Sequence, residues 1–457
     1  MITAKRIRID ASIDGEDWLG NIERKIRSGL SEEAIPLRFA ITESDADGFV
    51  CEIEILDEPP VAGMEAPDSI FNFRKRLGEN TERFNAALLV PTGINAEIGG
   101  HAGDATPVAK LLGAICDQVI VHPNVVNASD INEMPVNALY VEGSVVCRLL
   151  MGTAGLRRVR SNRVMVVIDD HNDEYFVNAA ANAVNAARAS YGLKCPEIIR
   201  LSPPIEMRTA YAKSGRAVGE IGNLSGLFEL CNKRRDDFDA LAISSVIRVP
   251  PNYHQDYFDR EGEMVNPWGG VEAMLTHAVS EYLDIPSAHA PMFESRLISD
   301  KDPGIVDPRM AAEAVSLTFL QCVLKGLHQS PRIVTDAQEL QAPDVLTASD
   351  ISCLVIPDKC VGLPTLAALF QGIPVIAVRE SRNLMQNDLE MLPWQPGQLH
   401  VVENYWEAAG VISALRAGID PMSVRRPIER TSIANFTGLA KTIDARNKID
   451  FRTESNG

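Results

Sequence analysis

Short apolar runs separated by amphipathic stretches dominate the chain from about residue 80 onward. AALLV (86–90), QVIV (118–121), ALYV (138–141), RVMVVI (163–168), EIIRL (197–201) and ALAISS (240–245) are each of strand length and mostly apolar. Such runs, with little polar alternation, predict strands buried on both faces, as in a parallel sheet covered by helices. Between two of them Val177, Ala180, Val184 and Ala187 recur near helical spacing. They predict a helix over 174–190, which Asn172 or Asp173 can cap. A further helix is expected to start near Thr106-Pro107.

The first sixty residues follow another period. IRIDASI, PLRFAITES and FVCEIEIL alternate apolar and polar positions around a turn at Asp45–Gly48, with a helical stretch at Trp18–Gly29. Pro59, Pro60, Gly63 and Pro67 then break the pattern. Beyond the Tyr- and Pro-rich segment 249–269, helices are expected at 270–283 and 309–327, and strands at 287–292, 331–335, 351–356 and 374–378. The fold class expected is α/β: two Rossmann-like lobes with mainly parallel sheets, plus a small N-terminal α+β unit. The boundaries are 1–78 for the N-terminal unit and linker, 79–250 for the first lobe, and 251–457 for the second with its basic tail.

Composition narrows the function classes. At 457 residues, 46% apolar and 23% charged, the chain has ordinary globular makeup and is too long for one ordinary core. A net charge of −18 argues against nucleic acid as a partner, because a polyanion must be met by a basic surface. The apolar runs are too short to cross a bilayer, and the N-terminus lacks an apolar leader, so the sequence reads as a cytoplasmic protein with no membrane partner. Eight cysteines are scattered without a CxxC spacing and read as reduced thiols. Self-association into a homo-oligomer is left open.

Parallel sheets bind ligands beyond the carboxyl ends of their strands, so polar residues at those ends carry the candidate chemistry. The loop after 86–90, GINAEIGGHAGDATP, holds Gly99, Gly100, His101 and Asp104. The next strand ends on His122, with Asp130 following; the third ends on Glu142, before Ser144; the fourth ends in Asp169, Asp170 and His171. Helix capping accounts for Asp and Asn in such places but does not call for histidine. Two chemistries fit the set. His101, Asp104, His122, Glu142 and His171 suit acid–base catalysis, joined by His254 from a segment expected to close over the cleft. His101, His122, Asp130, Asp169 and Asp170 could instead hold a divalent metal, the one cofactor the residues suggest.

Anion seats are the other expectation. Gly99 and Gly100 could bring backbone amides to an anion, although the loop is neither a Walker A nor a GxGxxG sequence. In the second lobe Lys359, Gly362 and Thr365 open a helix after a strand, and helix N-termini favour anions. Cys360 there is a candidate low-pKa thiol. His277 and His289 read as packed or capping residues.

The stretches PTGINAEIGGHAGDATPVAKLLG, HPNVVNASDINEMPVNALYVEGS, NPWGGVEAML and GLPTLAALFQGIPVIAV resemble a bacterial and plastid-lineage family catalogued as domain of unknown function 3326. The resemblance covers most of 80–425 and implies a non-secreted protein. It carries over no reaction, cofactor or catalytic residue. The expectation is an enzyme acting on a small polar, anionic metabolite in an interlobe cleft, by acid–base or metal-assisted chemistry. The alternatives are a two-lobed nucleotide-sugar transferase or epimerase, and a non-catalytic ligand-binding or assembly protein.

Overall fold

Six of the apolar runs pair into an all-parallel sheet. Its order is Leu399–Val402, Val375–Val378, Cys353–Pro357, Asn85–Leu88, Gln118–Val121 and Ala138–Tyr140. The inner strands are buried along their whole length, as continuous apolar runs require. Chain order runs outward from Asn85–Leu88 on one side and from Cys353–Pro357 on the other. The order therefore reverses between these two strands, and such a switch point leaves a crevice beyond their carboxyl ends.

A second, ten-stranded sheet is mixed. Its path runs Val361–Gly362, Ile35–Asp45, Gly48–Leu56, Ile2–Ile9, Ala217–Gly222, Glu206–Tyr211, Ala240–Arg248, Val164–Asp169 and Ile198–Leu201, with Ser287–Met292 also pairing on Ala240–Arg248. Pairing is antiparallel from Val361–Gly362 to Glu206–Tyr211 and parallel among the rest. The two-residue strand Val361–Gly362 follows directly on the parallel strand Cys353–Pro357 and pairs with Ile41 and Ala40. It joins the mixed sheet to the switch point of the parallel one. A small three-stranded sheet, Arg332–Val334, Gly155–Arg157 and Val345–Leu346, completes the β structure found among the described residues.

The computed structural model describes residues 1–10, 17–127, 132–259, 262–315, 319–428, 430, 431 and 433. Met1–Ser413 forms one compact unit and Ala414–Gly457 another. In the second, Asp420 caps a 3-10 turn at Pro421–Val424 through the Met422 amide. The basic tail beyond 433 lies outside the described residues.

The α/β content and the parallel sheet agree with the sequence reading. The larger sheet does not, since it is mixed, and a pair of Rossmann-like lobes does not describe the sheets. Each sheet draws strands from both halves of the chain. The N-terminal strands expected as an appendage are interior members of the mixed sheet, and every residue of Gly48–Leu56 is buried.

Two helices set up the site. Gly143–Leu150 starts on Glu142, whose side chain accepts from the Ser144 amide. Pro267–Leu283 starts on Asn266, whose side chain accepts from the amides of Trp268 and Gly269, with proline at its first turn. Most of this helix is buried, and Val271, Met274, Leu275, Ala278 and Val279 pack on Met207, Ile221 and Leu241 of the mixed sheet. It approaches so closely that a Cβ on Gly270 would lie 2.2 Å from the carbonyl oxygen of Ala217. Glycine is required there by contact, not by conformation. The expected helix at 309–327 is instead a 3-10 turn at Pro308–Met310 and helices Ala311–Val315 and Phe319–His328, with 316–318 outside the described residues. Segment 249–269 contains the helix Tyr253–Asp259.

Candidate active site at the sheet switch point

A cavity of about 990 Å³, counting its open mouth, lies where the switch point meets the mixed sheet. Its floor is Leu89, Ile356 and Cys360 from the parallel strands and their loops. Ala40 and Arg38 come from the mixed sheet and Arg216 from the turn just before its strand Ala217–Gly222, Ser144 and Cys147 from one helix, Ala273, His277 and Glu281 from the other, and Gly362–Thr365 from the start of helix Leu363–Gln371.

Buried charge is concentrated around this cavity. Arg216 is 1% exposed and binds Glu52 at 2.7 Å and Glu54 at 3.3 Å, both equally buried. Arg38 reaches Glu54 at 3.1 Å from the neighbouring strand. Burial pushes the Glu54 carboxyl up, but the charges of Arg38 and Arg216 and the His277 hydrogen bond outweigh it and hold the group down at about 2. His277 stands between two carboxylates, Nδ1 3.4 Å from Glu54 and Nε2 3.3 Å from Glu142. One turn further on, Glu281 faces Arg148 at 3.8 Å, and burial lifts its carboxyl to about 7 against the pull of that arginine.

The guanidinium of Arg216 is not fully satisfied. Nη2 is buried with no hydrogen-bond partner, in a residue that lines the cavity. An orphaned donor on a buried cation is costly unless an acceptor completes it. The N-terminal end of helix Leu363–Gln371 adds its positive dipole to the same space.

The ring of His122 also lines the cavity. Its Nε2 accepts from the Val90 amide at 3.0 Å, so in the neutral ring the hydrogen sits on Nδ1. Burial, helped by the charges of Arg38 and His277, lowers its pKa to about 3 and keeps it neutral. Of the predicted acid–base residues, His122 lines this cavity and Glu142 adjoins it through His277. Gly362 and Thr365 line the same cavity, although the Thr365 hydroxyl is spent on the Cys360 carbonyl at 2.9 Å.

The remaining predicted residues go elsewhere. His101 and Asp104 belong to a separate network. His101 Nδ1 contacts the Tyr257 hydroxyl at 2.7 Å, and that hydroxyl donates to Glu313 at 2.8 Å. Burial lowers the pKa of His101 to about 4 and raises that of Asp104 to about 8. His254 stacks on Trp268 with ring centroids 5.0 Å apart, in a second cavity.

Asp169 is a clamp: its carboxylate accepts from the amides of Ile205 and Val246, both at 3.0 Å. Asp170 pairs on the surface with Arg200. His171 uses both nitrogens, accepting from the Asp173 amide at 2.9 Å and donating to the Phe293 carbonyl at 3.1 Å. These three sit on the mixed sheet, and the expectation of one site shared with His122 is corrected accordingly. With each side chain engaged by its own neighbours, His101, His122, Asp169 and Asp170 form no common metal shell. Among the described residues no group of three or more His, Cys, Asp or Glu is placed to hold a metal ion. Asp130 lies outside the described residues.

The anion seats need the same sorting. Gly99 donates its amide to Asp104 at 2.8 Å, and its carbonyl takes the Asn124 amide at 2.7 Å. A Cβ on Gly100 would lie 2.1 Å from the Ala96 carbonyl oxygen. These glycines let the loop fold on itself, and the Gly99 amide is spent on Asp104. Lys359 is exposed, with φ of 66°, and does not line the cavity. Burial raises the Cys360 thiol, the reverse of an activated nucleophile.

Arg38, Glu52, Glu54, Arg216 and Glu281 were not anticipated from the sequence, and His277 was read as packing. The available signal was register. Arg38 and Glu54 face each other on adjacent strands, each at the polar position of an alternating pattern.

Residues 85–425 match the model of a family described as a protein of unknown function, DUF3326. Over 359 residues the chain is 29% identical to an uncharacterized lipoprotein of Synechococcus sp., covering 77% of this chain and 96% of that relative. No solved structure matches the chain. Among the described residues no single helix is long and apolar enough to cross a membrane.

Proposed function

The chain belongs to the DUF3326 family, and we propose that it is an enzyme that binds a small anionic metabolite in the switch-point cavity and acts on it by proton transfer. The observation that carries this reading is the buried, unpartnered Nη2 of Arg216, a residue that lines the cavity. A carboxylate or phosphate oxygen is the acceptor that would complete it. Arg38 and the N-terminal end of helix Leu363–Gln371 favour the same sign of charge.

Acid–base groups line or adjoin the same space. Glu142 and His277 are 3.3 Å apart, so a proton taken by one can be shared with the other. His122, locked neutral with its hydrogen on Nδ1, is a donor suited to a developing oxyanion. Much of the remaining wall, including Phe39, Ile70, Leu89 and Met385, is apolar. It suits a ligand with an apolar body behind its acidic group and keeps water from the reacting end.

Thermal unfolding in the presence of small carboxylic acids, phosphate esters and their neutral amides tests binding. Acids should raise the melting temperature and the matched amides should not. Incubation of a stabilising acid in D2O, followed by mass spectrometry, tests proton transfer. Deuterium should enter the bound acid with the parent protein and not with Glu142→Gln. If no acid stabilises the fold, the reading fails. Binding without exchange would make the protein a ligand-binding protein.

A further inference from the structure

Helix Pro267–Leu283 serves two cavities. Ala273, His277 and Glu281, four residues apart, face the switch-point cavity, whereas Trp268 and Glu272, also four apart, line a second one. We propose that this second cavity is a binding site for a cationic ligand, an amine or quaternary ammonium carried on an apolar body.

The cavity encloses about 1200 Å³ including its mouth. Its walls are aromatic: Trp268, Phe258, Phe293, Phe319 and His254, all half-buried. His254 lies between Trp268 and Phe293, with ring centroids at 5.0 and 6.4 Å. Burial, aided by the charge of Lys301, lowers the His254 pKa to about 4, so the ring stays neutral. Faces of this kind attract a cation through their quadrupoles, by about 0.5–2 kcal/mol each according to desolvation.

The negative charge is supplied by Glu272. Its Oε1 accepts from His289 Nδ1 at 2.8 Å, and His289 Nε2 meets the buried Ser245 hydroxyl at 2.7 Å. Since a carboxylate can only accept, Nδ1 carries the hydrogen, and in the neutral ring Nε2 accepts from Ser245. The chain Ser245–His289–Glu272 resembles a hydrolytic triad with its order reversed. The serine is the buried end, 0% exposed, and the carboxylate, with 23% of its side chain exposed, is the end at the cavity. The relay therefore orients Glu272 and does not activate Ser245.

The other charged groups on the cavity are Glu313, Glu294 and Lys301. Glu313 is already satisfied by the Ala102 amide, Tyr257 and Asn266, and burial raises its carboxyl to about 7. Glu294 and Lys301 are exposed at the rim. One oriented carboxylate inside aromatic walls is what remains for the ligand.

Phenethylamine, phenethyl alcohol and 3-phenylpropionate are the probes, followed by isothermal titration and tryptophan fluorescence of the full chain. Only the amine should bind. Glu272→Gln, which keeps the shape and a hydrogen-bond acceptor for His289, should weaken it at least tenfold. Lys301→Met, an exposed change, should tighten it by removing a like charge. Equal binding of amine and alcohol, or amine binding unchanged in both variants, would overturn the proposal. A preference for the propionate, strengthened in Glu272→Gln, would reverse its sign.

Discussion

His277 Nε2 lies 3.3 Å from Glu142 Oε1, and this contact joins the middle of helix Pro267–Leu283 to the N-cap of helix Gly143–Leu150. Both residues are nearly dry, with 7% and 3% of their side chains exposed. Glu142 thus does two things: it caps its helix through the Ser144 amide with one oxygen and faces the imidazole with the other. The variant Glu142→Gln keeps an oxygen for the cap and loses the charge beside His277. It should fold, and the pH profile of any activity should change shape. Glu142→Ala should also lose about 1 kcal/mol from the missing cap. Urea unfolding of the two variants separates the effects.

Arg216 is held by Glu52 and Glu54 with no exposed surface to relieve a missing partner. Arg216→Met would strand the buried Glu52 carboxylate, whereas Glu54 would keep Arg38 and His277. Breaking one partner of a buried ion pair costs about 3–5 kcal/mol. Adding Glu52→Gln should recover part of that loss, because one stranded charge is then removed. Chemical denaturation of the single and double variants checks this. Equal stability of both would show that Glu52 and Arg216 do not interact.

Gly270 packs backbone to backbone on strand Ala217–Gly222. Helix propensity alone would favour Gly270→Ala by up to about 1 kcal/mol. The added Cβ would instead meet the Ala217 carbonyl oxygen at 2.2 Å and its carbon at 2.6 Å. Neither atom can move away as a side chain tip could, so the helix must shift. A net loss of about 2–3 kcal/mol in urea unfolding is expected. The affinity for acids in one cavity and amines in the other should fall together, since the helix serves both.

Strand positions were legible because runs such as Val119–Val121 and Val375–Val378 have no polar position to turn outward, and both are buried throughout. His122 and Glu142 were legible for a related reason: a polar residue directly after such a run must stand at the sheet's carboxyl edge. The acidic and basic groups of the N-terminal strands were hidden by the same logic. In FVCEIEIL the alternation makes Glu52 and Glu54 read as a solvent face. Helix Pro267–Leu283 and Arg216 cover that face, and covering by remote segments leaves no local trace. The Asp169-Asp170-His171 tip misled for the converse reason. It too ends a buried strand, but Ile205 and Val246 supply amides that consume its carboxylate, and that coincidence is not visible in the sequence.

Cys147 lines the switch-point cavity and is the one cysteine of the eight that is not buried by residue exposure. Burial of its sulfur raises the thiol pKa, so it should react slowly with a maleimide at pH 7. It should still react before the other seven. Peptide mass spectrometry of a timed labelling reaction gives the order, and an acid bound in the cavity should slow Cys147 selectively. Prior labelling of Cys360 would contradict the arrangement.

The pH dependence of stability has opposite signs at two glutamates of the site. Glu54 is held at about 2, below its ordinary value of 4.5. Its stabilisation is present above 4.5 and is lost as the pH falls toward 2. Glu281 is raised from 4.5 to about 7. The folded state then holds a proton that the unfolded chain releases, so stability falls as the pH rises from 4.5 to 7 and stays reduced above that. Glu281 is only 5% exposed at its side chain, and a shift of this size corresponds to at most about 3 kcal/mol. Glu281→Gln should therefore flatten the decline in unfolding free energy between pH 5 and pH 8. Glu54→Gln should remove stability at pH 7 and converge on the parent near pH 2. A Glu281→Gln curve parallel to the parent's from pH 5 to pH 8 would mean that Arg148 keeps Glu281 ionised throughout, and the site would then carry one more negative charge against any anion it binds.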